Sequence, residues 1–586
     1  MPKSGTLRKV QRDCRQRRSM RKPGSAGGRN SSRKCFCRYS CPLRRTRPTA
    51  TTHRRTGRLA PQAGDIGKGA TWFCVRKNGA RQREGWMKGV PLQALRKAIG
   101  APKDTDIEVC LVDKFRRVDP GKFSGTFFNR VRGVTGVEFA FRDEAVSLPP
   151  TRMIAANLSF ERAYERFLGK RGIREKEFLT KGRLRAFSAT QYLLLSGHDN
   201  EPVELFRGSP AVEPDRSGYR ERAAALADGI GRWMLANLTS GGALPYKYWP
   251  SRGDVSPADN AIRRFLATAA LLRYGNRSGR KEIGEAGLRN LRYNLSRYFR
   301  NIGNGCGAIV EGDVAKLGAA AVAGLAILEC PAPQEFDGAL ALLAAGVGSL
   351  EHDGHGFRTF FFPQARDGEN WNFYSGEALL FQAELARRQS AHAPTVERCA
   401  AAFERCRARH YRNRNPAFVP WHTQACASLF ARTGRREFAD FVFEMNDWLL
   451  PMQQWEGLAP DLRGRFYNPE RPEFGPPHAA STGAYLEGMA DAASLAGALG
   501  DRARESAYER VLQRGLRSLR QLQFRDERDA FYVARKSRAL GALRTEAYDN
   551  AIRVDSAAHA LAAAVKILWP MEFGRFESIR KTPLEA

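Results

Sequence analysis

Residues 311–329 read EGDVAKLGAAAVAGLAILE, residues 481–499 read STGAYLEGMADAASLAGAL, and residues 551–569 read AIRVDSAAHALAAAVKILW. Each is helical in pattern and small or apolar around most of its circumference, so each must be surrounded by protein rather than water. Other helical segments differ. RNLRYNLSRYFR (289–300), ERCAAAFERCRARHYR (397–412) and ERVLQRGLRSLRQ (509–521) carry a charged face that belongs at a surface.

Outward from these stretches, the spacing predicts twelve helices, over 218–237, 257–275, 281–300, 311–329, 334–351, 375–389, 394–412, 417–433, 435–450, 481–498, 501–524 and 550–568. The apolar ones are even-numbered and the charged ones odd-numbered, a repeat two helices long. Six hairpins, each pairing an outer helix with an inner one and closing into a ring, are the simplest way to bury every apolar helix.

Upstream, ATWFCVRKNGARQREGW reads as two strands about an Asn78-Gly79 turn. PLQALRKAIG reads as a short helix, DIEVCLVDKF as a strand, GVTGVEFAFRDEAVSL as two strands about Arg142-Asp143, and LSFERAYERFLGKRG as an amphipathic helix. The fold class expected is therefore mainly α: an (α/α)6 toroid over 200–575, a small mixed α/β domain over 66–195, and a basic tail over 1–65. No nucleotide-binding glycine loop or nucleophile elbow occurs.

The chain has 586 residues and a net charge of +35. Residues 1–60 hold 19 Lys and Arg against one acid, Asp13, and so carry +18, which leaves +17 for the rest. Rich in Ser, Gly, Thr and Pro, this tail is expected to be disordered. Such an arm can bind nucleic-acid phosphates or an anionic membrane surface; an arginine-biased proteome or an early start codon is the simpler account, and such contacts are not the expected role of the tail. Arg17-Arg18 is followed by no apolar segment and does not read as an export signal, so a cytoplasmic location is expected. The run Cys35, Cys37, Cys41 lacks the spacing and partners of a zinc site, and no metal or cofactor is expected. Cys399 and Cys406 read as small buried residues.

In an antiparallel ring all inner helices run the same way, so their N-termini share one mouth. That collects Asp259 and Asn260; Glu311, Asp313 and Lys316; Tyr374 and Glu377; Trp421 and His422; His478, Tyr485 and Glu487; Asp549, Arg553, Asp555 and His559. Helix caps and ion pairs account for any one of them. A carboxylate one turn into a buried helix is costly unless paired or used, however, which singles out Glu377, Glu487, Asp555 and His559 as catalytic candidates. Aromatic residues precede the same helices, among them Trp249, Trp371, Phe373, Phe466 and Tyr467. Flat rings beside carboxylates, amides and Arg suit sugars. Trp249, Asp259, Asn260, Trp371, Tyr374, Trp421, His422, His478 and Arg553 are the substrate-binding candidates, and 352–375, with its Gly and polar residues, is the expected binding loop.

The inner-helix openings Ala258-Asp259-Asn260-Ala261-Ile262-Arg263, Lys316-Leu317-Gly318-Ala319, Tyr374-Ser375-Gly376-Glu377-Ala378-Leu379-Leu380 and Ala484-Tyr485-Leu486-Glu487-Gly488 carry a resemblance to the six-hairpin (α/α)6 toroid superfamily over roughly residues 200 to 570. That superfamily includes glycoside hydrolases, polysaccharide lyases and sugar epimerases. The resemblance implies a carbohydrate-active enzyme, with glycoside hydrolysis by paired carboxylates as the first expectation. The alternatives are a sugar epimerase, with His and Tyr as acid and base, and a noncatalytic glycan-binding or assembly protein. The +17 outside the tail is compatible with an anionic glycan.

Overall fold

The computed structural model describes residues 69–574 apart from Gly89, 198–200 and 216–217; the basic tail and its cysteine run lie outside the described residues. An antiparallel sheet comes first. Its strands are β1 (Ala70–Lys77), β2 (Ala80–Lys88), β3 (Asp106–Val118), β4 (Thr135–Phe141), β5 (Glu144–Leu148), β6 (Arg183–Leu194) and β7 (Pro202–Leu205), in the order β2-β1-β3-β6-β4-β5. Asn78 and Gly79 form the expected turn between β1 and β2, with Lys77 opposite Ala80. The long strand β6 and the short β7 are the two the sequence did not disclose. The first half of β6 pairs with β4 and its second half with β7, so the sheet runs past residue 195 to Leu205. Helix Phe160–Arg171, capped by Ser159 and ended by Gly172, covers a cluster built on Phe127, Phe139, Phe167 and Phe178.

Twelve helices follow among the described residues. The inner six are α2 (Ala261–Ser278), α4 (Leu317–Leu328), α6 (Trp371–Arg387), α8 (Val419–Thr433), α10 (Ala479–Leu499) and α12 (Val554–Leu568). The outer six are α1 (Tyr219–Asn237), α3 (Lys281–Tyr298), α5 (Asp337–Ser349), α7 (Val396–Arg412), α9 (Arg436–Leu449) and α11 (Arg502–Leu522). The inner helices touch one another in order, and α12 returns to α2. The ring is closed. From α3 onward each outer helix packs on the inner helix before it, while α1 lies against α12 and α11. Every residue of α4 is buried, as its composition demands. None of the described helices is long and apolar enough to cross a membrane.

Short strands tie the helix openings together at the mouth. Val314–Lys316 pairs with Phe360–Phe362, joining the entries of α4 and α6, and Asp549–Arg553 pairs with Lys247–Trp249, joining those of α12 and α2. Two expectations change here. Glu311 and Asp313 belong to a hairpin turn around Gly312, at φ +61°, rather than to the first turn of α4. Asp549 begins a strand, not a helix.

At the opposite end the ring is closed by ion pairs. Arg273 meets Glu329 at 3.0 Å, Arg388 bridges Glu329 and Glu384 at 2.7 and 3.2 Å, Arg387 holds Glu384 at 2.7 Å, and Lys566 pairs with Asp491. Each buried acid there has its cation, as charges removed from water require.

Candidate active site

A cavity of about 300 Å³ opens at the mouth, walled by α2, α6, α8, α10 and α12 and by the loops before α8 and α10. Glu377, one turn and a half into α6, is 4% exposed and lines it. Its Oε2 has no hydrogen-bond partner among the described residues. Burial with no cation beside it pushes the carboxyl up to about 8, so at neutral pH it is a protonated acid. Gly318 of α4 makes room for it: a Cβ there would sit 1.9 Å from Oε2 and 2.6 Å from the Tyr374 ring. The Tyr374 hydroxyl, also on the wall, is raised by burial and by Glu377.

Asp555, in the first turn of α12, behaves in the opposite way. Arg553 grips it with Nε at 3.0 Å and Nη2 at 2.5 Å, and Arg263 of α2 approaches from the other side at 2.9 Å. Burial alone would raise this carboxyl; the two guanidinium groups outweigh burial and hold it below the usual range. Arg263 also donates to the Tyr246 hydroxyl.

His559, one turn further along α12, lines the cavity with an edge to the Trp421 ring. Its Nδ1 donates to Glu487 Oε1 at 2.5 Å, which leaves Nε2 for the cavity. Glu487 itself is 2% exposed and stands behind His559, off the cavity wall. His478 caps α10 by accepting the Ser481 N–H at Nδ1, so its proton sits on Nε2; burial, with Arg553 nearby, lowers it to about 4 and keeps it neutral.

The cavity wall thus includes Glu377, Asp555, His559, Asn260, Tyr374, Trp421, His478 and Arg553. Four other candidates lie elsewhere. Trp371 and His422 are core residues behind α6 and α8, both stacked on Phe418; the His422 Nδ1 donates to the Phe418 carbonyl, and burial lowers this imidazole to about 3. Asp259 is held by Arg264 and the Tyr298 hydroxyl beside a separate shallow depression. Trp249 lies under Lys247 and Arg252. Of the expected binding loop, Asn370, Phe373 and Tyr374 reach the wall. The sequence reading passed over Arg263, Asn468 and Phe474, which line the cavity too. Arg263 sits one turn into an inner helix, the placement that singled out Glu377, but that criterion was applied to acids and histidines.

No protein-family model matches the chain, and no curated protein matches it. Among solved structures, the GH76A α-1,6-mannanase from Salegentibacter sp. HEL1_6 is similar at TM-score 0.42 and 12% identity, over 60% of this chain and 99% of that one. An unsaturated glucuronyl hydrolase specific for heparin is similar at TM-score 0.41 and 10% identity, over 60% and 96%. A sugar epimerase from a ruminal bacterium follows at TM-score 0.28 and 13% identity, over 53% and 73%. By its own ring closure the chain is an (α/α)6 toroid of six helical hairpins, preceded by an antiparallel sheet.

Proposed function

We propose that the chain is a carbohydrate-active enzyme that hydrolyses a glycosidic bond in this cavity, with Glu377 as general acid and His559 as general base. The observation that carries the reading is the contrast along one wall. An unpartnered, protonated carboxyl is held on α6, and a histidine braced by a buried carboxylate is held on α12. Polar groups set among aromatic rings, with Phe373 44% exposed at the rim, suit the hydroxyl edges and C–H faces of a sugar.

In this reading Glu377 passes its proton to the glycosidic oxygen as the bond from that oxygen to the anomeric carbon breaks. Water adds to that carbon while His559 Nε2 takes the water's proton, and the Glu487 carboxylate stabilises the resulting imidazolium. Glu487 therefore works through His559, and Asp555, capped by two arginines, organises them rather than acting as the second carboxylate of a pair.

The test is a panel of oligosaccharides assayed for binding and turnover. Glu377→Gln is expected to lower turnover by roughly two to four orders of magnitude, with affinity largely kept. A wild type that binds a saccharide without turning it over, with Glu377→Gln changing affinity alone, would make the protein a binder. The His559–Glu487 pair favours one second reading, epimerisation, in which His559 removes a proton from a carbon beside a carbonyl. Incubation of reducing sugars in D2O separates the two, because only epimerisation breaks a C–H bond and returns deuterium from solvent to that carbon while every glycosidic bond stays intact.

A further inference from the structure

The two ends of the toroid differ in their charge accounts. Behind the cavity wall, Glu329 and Glu384 are matched by Arg273, Arg387 and Arg388, Asp491 by Lys566, and Glu487 faces His559.

At the mouth the match fails. The ionised acid on the wall is Asp555, and it faces both Arg263 and Arg553. Glu377 is protonated at neutral pH and cannot serve as a second counter-ion, and His478 is neutral. The next acid along the chain, Asp549, lies off the wall and accepts from Asn157 Nδ2 at 2.8 Å and from the Ala551 N–H. Two guanidinium groups thus share one carboxylate on the wall, both partly open to the cavity, and an anion that enters it would meet both.

The hydrogen-bond inventory agrees with the count. A guanidinium has three nitrogens. Arg553 spends Nε and Nη2 on Asp555, and Arg263 spends Nε on Asp555 and Nη1 on the Tyr246 hydroxyl. Arg553 Nη1 and Arg263 Nη2 remain, each on a guanidinium group that Asp555 holds. Two donors on separate, rigidly held guanidinium groups suit an acceptor with two equivalent oxygens.

We infer that the sugar unit seated in this cavity carries one carboxylate, as a uronic acid does, and that Arg263 and Arg553 bind it. The inference rests on the carbohydrate reading above and narrows it to an acidic saccharide. It also gives Asp555 a purpose, since an aspartate gripped by two cations is a poor nucleophile or base but a good brace.

The experiment compares di- and trisaccharides of hexoses with the same saccharides in which one hexose is oxidised to the uronic acid, by titration calorimetry with the full chain. Wild type is expected to bind the acidic member roughly 10- to 100-fold more tightly, the range of a hydrogen bond to a charged group, with the preference falling as salt rises. Arg263→Met and Arg553→Met each leave Asp555 one cation and so keep the brace paired. Each is expected to weaken the acidic member more than the neutral one and so to remove most of that preference, as loss of a charge-specific contact requires. Equal binding of acidic and neutral members by wild type overturns the charge assignment and leaves the carbohydrate reading standing. An equal loss for both members in the two variants overturns it as well. Failure of every saccharide to bind folded wild type overturns both.

Discussion

At the scale of single residues, Glu377 sets the pH behaviour of the site. Its carboxyl titrates near 8 instead of in the usual range around 4.5 because burial penalises the charged form and no cation offsets that penalty. A general acid must be protonated to act, so turnover is expected to hold up to about pH 8 and to fall above it, with Glu377→Gln flattening that limb. The same shift has a thermodynamic side. The folded protein keeps this proton between about pH 4.5 and 8 while the unfolded chain releases it, so the group's contribution to stability is complete below that window and lost across it. Each unit of pH inside the window costs about 1.4 kcal/mol. Glu377→Gln does not titrate, and its Tm should gain on wild type as pH rises from 5 to 8, then run parallel. A constant difference in thermal melts across that range would show that the carboxyl is ionised in the fold.

Helix packing decides whether that acid can exist where it does. α4 and α6 approach so closely at Gly318 that a single methyl group would overlap both the Glu377 carboxyl and the Tyr374 ring. Gly318→Ala favours the helix by intrinsic propensity, by about 1 kcal/mol. It is nevertheless expected to destabilise the fold by about 1–3 kcal/mol, the usual cost of overpacking, and to cut turnover at least tenfold by displacing the acid. Unchanged melts and kinetics would mean that α4 can shift aside. The same element shows how far a sequence can be read. Small residues along 317–328 announce an inner helix, and three such patterns set against three charged ones announce a ring. Where each helix begins was less legible. α2 starts at Ala261, capped by Asn260, and α12 after a strand because pairing among the mouth strands, which joins segments some 300 residues apart, overrides local acid-in-first-turn signals. Glu377 and His559 could be found because polar groups in apolar helices stand out. The pairing of Arg263 with Asp555 could not, since it spans the closing seam between α2 and α12, and His422 misled because a histidine satisfied by a carbonyl looks the same in sequence as one that faces a ligand.

For the molecule as a whole, the sheet holds the mouth in place. Arg207, just after β7, reaches Asp461 in the loop before α10 at 2.5 Å, with both side chains at most 2% exposed, and also donates to the carbonyls of Arg130 and Arg132. Asn157 holds Asp549, and Asn550 donates to the Ile154 carbonyl, so the strand leading to Arg553 is gripped from the same side. Arg207→Met would strand a buried carboxylate and is expected to cost about 3–5 kcal/mol. Because Phe466 and Tyr467 follow Asp461 on that loop, KM for the saccharide should rise as well. A drop in Tm with KM unchanged would limit the sheet to a stabilising role. The seam has a further consequence, in the order of events during synthesis. Domains tend to fold as they emerge, N-terminal part first. Arg553, Asp555 and His559, however, arrive on the last strand and helix of the ring, and their partners Arg263 and Glu487 must wait for them on helices already made. A ribosome stalled just before Arg553 therefore holds a chain with its sheet and most of its ring but without the arginine, aspartate and histidine that complete the cavity wall.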